Sequence, residues 1–142
     1  MFAKQLTVFI ENRSGRLAQV LNVLKENGVS IISMSLADTT EFGLLRLIVD
    51  NAALGKEKLR ENGFSSLLSD VSIIQIPHKV GSLQSLLKTI DENNVNIEYM
   101  YGLSIDSDKA YVVMKASDIN KIDQILTQNN IVTLSCEDLA NI

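Results

Sequence analysis

Residues 93–102 read NNVNIEYMYG, and residues 27–36 read NGVSIISMSL. An offset of 66 lays one on the other and keeps Asn27 with Asn93, Val29 with Val95, Ile31 with Ile97 and Met34 with Met100. Extended towards the N-terminus, the same offset pairs Ile10 with Ile76, Gly15 with Gly81, Leu17 with Leu83, Leu21 with Leu87 and Glu26 with Glu92. Further on it slips by one, so that Asn62 meets Asn129 and Leu67 meets Leu134. Register kept over so long a span is a duplication, and the fold follows from reading one repeat and checking it against the other.

Each repeat begins with a short β-forming run, residues 4–11 (KQLTVFIE) and 71–78 (VSIIQIPH), which predicts a strand. Leu17, Val20, Leu21 and Leu24 then recur at helical spacing, as do Leu83, Leu86, Leu87 and Ile90. Each set gives one helix with a single apolar face. Gly28 and Asn94 stand where a helix end calls for a left-handed residue. Two strands follow in each half, over 30–37 and 43–50, then over 96–105 and 110–115, joined by polar hairpin segments at 38–42 and 106–109. A second helix spans 52–62 and its partner 119–129, the latter capped by Ser117 or Asp118. Short last strands are expected near 64–68 and 131–136. The order is β-α-β-β-α-β, written twice, which is the split βαβ arrangement of the ferredoxin-like class.

Two features strain the pattern. Ile97 and Met100 are three residues apart, so both face the helices only if a bulge shifts the register. The second helix of the first repeat carries Gly55 early and has a thin apolar face.

Composition bounds the function. Of the 142 residues, 46% are apolar and 21% charged, a globular balance with enough apolar surface for a real core. A formal charge of −4 leaves no clustered Lys and Arg for a nucleic-acid backbone or an anionic membrane. No apolar run approaches the roughly 20 residues of a membrane span, and the N-terminal charges do not fit a signal peptide. A cytoplasmic protein is expected. A single cysteine, Cys136, and a single histidine, His78, make neither an internal disulfide nor a zinc cluster. No cofactor or metal is expected. A phosphate loop and a nucleophile–base pair are likewise missing from the sequence, which argues against an enzyme.

The residues also carry a resemblance. Each repeat has a Gly before its first helix, a Leu two residues later, and an Asn-Ile or Ser-Ile step after the helix end. This resembles the ACT domain, a small ligand-binding regulatory module. More narrowly, ENRSGRLAQVL (11–21), SLADTTEFGLLRLIVD (35–50) and NVNIEYMYG (94–102) resemble stand-alone bacterial tandem ACT proteins, which bind amino acids. Where the family commonly has Pro before the turn glycine, this chain has Ser14 and Val80. The resemblance implies an α+β fold of two ferredoxin-like βαββαβ (ACT) repeats with antiparallel sheets side by side, residues 1–70 and 71–142.

It also implies a site. In such pairs a ligand lies at the seam between the first turn of one domain and the second strand of its neighbour. The residues concerned here are Asn12, Arg13, Ser14, Gly15 and Leu17 with Ser30 and Ile31, and His78, Lys79, Val80, Gly81 and Leu83 with Asn96, Ile97 and Glu98. The chemistry is coherent, because a helix start offers free N–H groups and a positive dipole end to a carboxylate. Asn12, Asn96 and strand carbonyls are acceptors for an ammonium. Each residue has a plainer reading beside this one. Gly15 and Gly81 suit turn geometry alone, Asn96 suits a strand edge, and Glu98 suits a solvated face. Tyr99, Met100 and Tyr101 suit core or interface packing, and His78 suits an exposed turn. Cys136, in its expected terminal strand, lacks the positive surroundings that activate a thiolate. The partners implied are a free amino acid or similar small metabolite and a second copy of the chain as a homodimer. An unknown protein partner is the third, with no nucleic acid and no membrane. The competing class is a ligand-free scaffold that uses the same repeats to assemble.

Overall fold

The computed structural model describes residues 1–11, 13–38, 42–103 and 108–141. Asn12, residues 39–41 of the first expected hairpin and residues 106 and 107 of the second lie outside the described residues. The chain divides into two compact units, Lys4–Ser69 and Asp70–Ile142, the latter together with Met1–Ala3.

The first repeat contains β1 (Ala3–Glu11), α1 (Arg16–Glu26), β2 (Ile31–Asp38), β3 (Phe42–Val49) and α2 (Ala52–Glu61), and leads into β4 (Ser66–Pro77). β3 pairs antiparallel with β1 on one side and β2 on the other. Side chains alternate across a strand, so Leu6, Val8 and Ile10 of β1 and Leu45, Leu47 and Val49 of β3 share one face. That face buries against Val20, Val23 and Leu24 of α1 and Leu59 of α2. Gly55 is buried, and a Cβ there would stand 3.2 Å from Leu6 Cδ2 and 3.3 Å from Leu24 Cδ2. The glycine that weakens the sequence pattern of α2 thus lets this helix lie close against its neighbours. Asn51 caps α2 by accepting from the Leu54 N–H at 3.1 Å.

The second repeat takes the remainder of β4, then α3 (Ser82–Glu92), β5 (Ile97–Leu103), β6 (Lys109–Ala116), α4 (Ile119–Gln128), β7 (Thr133–Leu134) and α5 (Cys136–Ala140). β6 pairs antiparallel with β4 and with β5, and β7 pairs with β4. Ile74, Ile76, Val112 and Met114 face Leu86 and Ile90 of α3 and Ile122 and Leu126 of α4. Asp118 caps α4, accepting from the Lys121 N–H at 3.0 Å. The left-handed residues expected after the first helix of each repeat are present, with φ of 70° at Gly28 and 57° at Asn94.

The strain at Ile97 and Met100 is resolved by an irregularity. The β5–β6 register shifts between Ile97 and Tyr99, and both Ile97 and Met100 then pack on the second core. The same shift occurs in β2 between Ile31 and Ser33. Tyr99 and Tyr101 pair with Lys115 and Val113, so they lie on the sheet face turned away from α3 and α4.

Two expectations fail. The strands expected near 64–68 and over 71–78 are one continuous strand of 12 residues, β4. Between them stand only Ser69 and Asp70, with no Gly, Pro or Asn to turn the chain. The last strand expected over 131–136 is reduced to the two residues of β7, and Cys136 opens α5 instead. Ser135 and Asp138 form a reciprocal capping box there, so two backbone N–H donors of the helix start are met locally.

Candidate functional site

The two first turns are near copies in backbone. Gly15 (φ 86°, ψ −11°) and Gly81 (φ 87°, ψ −7°) are the N-caps of α1 and α3, both left-handed and both without a side-chain cap. Positive φ at this point is what selects glycine over any L-residue. The supporting bonds repeat as well. Arg16 N–H donates to the Arg13 carbonyl and Ser82 N–H to that of Lys79, while Gln19 and Ser85 donate to Gly15 and Gly81 at 3.1 and 3.0 Å. The N–H groups of the second and third helical residues, Leu83 and Gln84 in α3, have no intrahelical acceptor by the geometry of a helix start.

Around this common frame the side chains differ. Arg13 is exposed and ion-paired with Glu11 at 3.1 Å. Ser14 is exposed, as are His78, Lys79 and Val80. Leu17 packs against the first core, whereas Leu83 is 41% exposed. Ser30 is fixed to the next strand end, its N–H donating to Asp50 Oδ1 at 2.9 Å. Asn96 holds the corresponding place by donating from Nδ2 to Ser117 Oγ at 3.1 Å. Ile31 and Ile97 pack on their cores, and Glu98 is exposed.

Within the second repeat the candidate residues separate into two depressions on opposite flanks of α3. The first, about 800 Å³, is bordered by Lys79, Val80 and Gly81 and runs along Ser82, Ser85, Leu86 and Thr89 to Asn129, Asn130, Ile131 and Val132. The second, about 740 Å³, takes Leu83 and Leu87 on the helix and Val95, Asn96 and Ile97 at the start of β5. The turn and the strand step of one repeat therefore do not border a single depression. His78 and Glu98 line neither.

Sequence reasoning missed Ser82, Ser85, Thr89, Asn130 and Ile131 on the first of these, although they follow the turn glycine at helical spacing or belong to the α4–β7 connection. It also missed Arg16 in the first repeat, whose guanidinium Cζ lies 4.3 Å from the centroid of the Phe64 ring. Among the described residues, no group of three or more His, Cys, Asp or Glu is placed to hold a metal ion, and no helix is long and apolar enough to cross a membrane.

A family model described as an ACT domain pair matches residues 1–142. Comparison with curated proteins gives no match. Among solved structures, protein BT0572 from Bacteroides thetaiotaomicron is 33% identical, with a TM-score of 0.94 over 100% of this chain and 98% of that one. The regulatory subunit of aspartate kinase from Thermus thermophilus, in its ligand-free form, is 18% identical, with a TM-score of 0.62 over 88% of this chain and 91% of that one. Its counterpart from Thermus flavus is 16% identical, with a TM-score of 0.57 over 90% and 93%. The two regulatory subunits are similar in fold.

Proposed function

This chain belongs to the ACT domain pair family, and from that premise we propose that it is a regulatory module that binds a free amino acid or a similar small metabolite and has no catalytic activity of its own. Its two ACT domains on this reading are residues 1–70 and 71–142. The observation that carries the proposal is the start of α3. There Gly81 is left-handed and uncapped, and the turn borders a depression of about 800 Å³ with both polar and aliphatic walls. Uncapped N–H groups and the positive end of the helix dipole suit a carboxylate. The hydroxyls and amides beyond it suit an ammonium, and the aliphatic wall suits a side chain.

Regulation by such a module requires that its occupancy change an equilibrium read by something else, a second copy or another protein. A homodimer is part of the proposal, because β2 and β5 each end a run of paired strands and an unpaired edge is a template for pairing. The same reading takes the module to be cytoplasmic. A second reading, assembly without a ligand, is favoured by the apolar groups left in water beside the turn, Val80 fully and Leu83 in part.

A thermal-shift panel of the pure protein against the twenty amino acids decides between them. An amino acid present at 100 times its dissociation constant adds about 2.7 kcal/mol, or roughly 5 to 10 °C for a chain of this size. One clear shift supports the sensor. A flat panel from a protein that self-associates supports the scaffold.

A further inference from the structure

The first-repeat counterparts of the residues around the 800 Å³ depression can be read off the duplication. Offset 66 pairs Arg16 with Ser82 and Gln19 with Ser85, and from the second helix onward, where α2 and α4 are offset by 67, Phe64 pairs with Ile131. The backbone supports that pairing. Phe9 N–H donates to the Ser65 carbonyl at 3.0 Å in one repeat, and Gln75 N–H to that of Val132 at 2.9 Å in the other. Phe64 and Ile131 N–H each close the end of their helix on Leu59 and Leu126 at 2.9 Å.

In the first repeat these three positions meet one another. Arg16 lies over the ring of buried Phe64, its Nη1 donates to Gln19 Oε1 at 2.8 Å, and its Nε is buried without a hydrogen-bond partner among the described residues. The side chain thus bridges the start of α1 and the connection after α2, held by the ring face and by the amide. In the second repeat the same three positions are Ser82, Ser85 and Ile131, and all three line the depression. None is long enough to cross it. Ser82 Oγ is buried and has no hydrogen-bond partner among the described residues, although a buried hydroxyl normally finds one.

We infer that the cleft between the start of α3 and the α4–β7 connection is a ligand site of the second repeat alone, that Arg16 on Phe64 closes its counterpart in the first, and that the guest is a small carboxylate with an aliphatic side group. The inference deepens the reading above and rests on it in taking the ligand to be a small carboxylate. The walls then select among such ligands. A guanidinium or other cation fits the first cleft through the Phe64 face, but the described residues on the wall of the second include no aromatic ring and set Lys79 and Lys109 against Asp108. That balance, with the dipole end of α3, favours an anion. Ser82 Oγ supplies a hydrogen bond to the carboxylate, and Ile76, Leu86, Ile131 and Val132 supply an aliphatic surface.

The test uses the full-length ¹⁵N-labelled protein and three probes that differ by one group: L-leucine, 4-methylpentanoate, which lacks the ammonium, and 3-methylbutylamine, which lacks the carboxylate. Both carboxylates are expected to shift the amide resonances of Ser82, Leu83, Ser85, Asn130 and Ile131, and the amine to leave them in place. The amides of Arg16, Gln19 and Phe64 stay still with all three. The double variant Ser82→Arg/Ile131→Phe, which installs the first repeat's plug in the second, loses the shifts. Ser82→Arg alone carries the same expectation if the double variant does not fold. Arg16→Ser is expected to add a second set of shifted amides around Phe64. Shifts at Arg16 and Phe64 in the unmodified protein, equal shifts from the amine, no shift near α3 from either carboxylate, or a plugged variant that binds unchanged would each overturn the inference. An amino acid that binds but shifts amides elsewhere overturns this site and leaves the regulatory reading standing. If 4-methylpentanoate shifts the cleft while no amino acid binds at all, the site stands and the amino-acid reading falls.

Discussion

At one end of the first repeat an arginine lies across an aromatic ring, and at the same end of the second repeat a serine and an isoleucine leave a cleft. The opposite trade occurs between the strands and the second helix. There Gly55 of α2 lets Leu6 and Leu24 approach, while Ile122, its counterpart at offset 67, is fully buried in α4. Volume present at one end of a repeat is missing at the other, and the order reverses between copies. What does not vary is the backbone: both turn glycines are left-handed to within a degree in φ, and both sheets carry a register shift early in the second strand. Duplication has kept the geometry that only a few residue types satisfy and has let side-chain volume move wherever a core still closes.

The sharpest way to break this comparison is to exchange volume at the shared position. Ile122→Ala removes a wholly buried side chain and should cost about 2–5 kcal/mol, a transfer loss plus a cavity. Gly55→Val adds volume where a Cβ alone already sits 3.2 Å from Leu6 Cδ2, and overpacking of this kind costs about 1–3 kcal/mol. Urea unfolding followed by hydrogen exchange assigns each loss to its own repeat. If Gly55→Val is neutral, the first core is loose and the idea of relocated volume fails at its clearest site.

A smaller difference lies at the starts of α2 and α4, capped by Asn51 and by Asp118 at nearly equal distances. Replacing either by alanine should cost about 1 kcal/mol. Asp118→Ala should cost a further few tenths, up to about 1 kcal/mol, because its charge also meets the helix dipole, and that excess should fade in high salt. Equal losses at low and high salt would mean that the two caps act only as hydrogen-bond acceptors.

The alternation and helical spacing that built the repeat in sequence are the same periodicities that build its two cores, which is why element order was legible from β1 to α2 and again from α3 to α4. The bulge was legible too, as a conflict between Ile97 and Met100 that a regular strand has no means to settle. The continuity of β4 was not, because two polar residues, Ser69 and Asp70, resemble a break although neither forces a turn. The cleft was hidden for a different reason. It depends on what Arg16 does with Phe64, a contact between residues 48 positions apart, and on the shorter side chains, Ser82 and Ile131, that line the depression at the same two places. Only the repeat offset, carried past the slip to 67, points to it.

At offset 67 the residues that correspond to Ser135 and Asp138 are Leu68 and Val71, which continue β4. One slot holds a strand in the first repeat and a capped helix in the second, and Ser-x-x-Asp is the signal that distinguishes them. The Ser135 N–H and then its hydroxyl donate to the Asp138 carboxylate and hold it below its ordinary pKa. A carboxylate lowered on folding stabilises the folded form above its unfolded pKa, about 4, and that contribution disappears as pH falls through the folded value. Hydrogen exchange of the α5 amides should therefore accelerate below about pH 4, relative to those of α4, beyond the intrinsic pH trend. Asp138→Asn should remove that extra acceleration and leave α5 less protected at neutral pH. If the variant keeps the same profile, the Ser135–Asp138 box is not what distinguishes the helix from the strand, and the cause must lie in the core contacts of Leu139, which is buried.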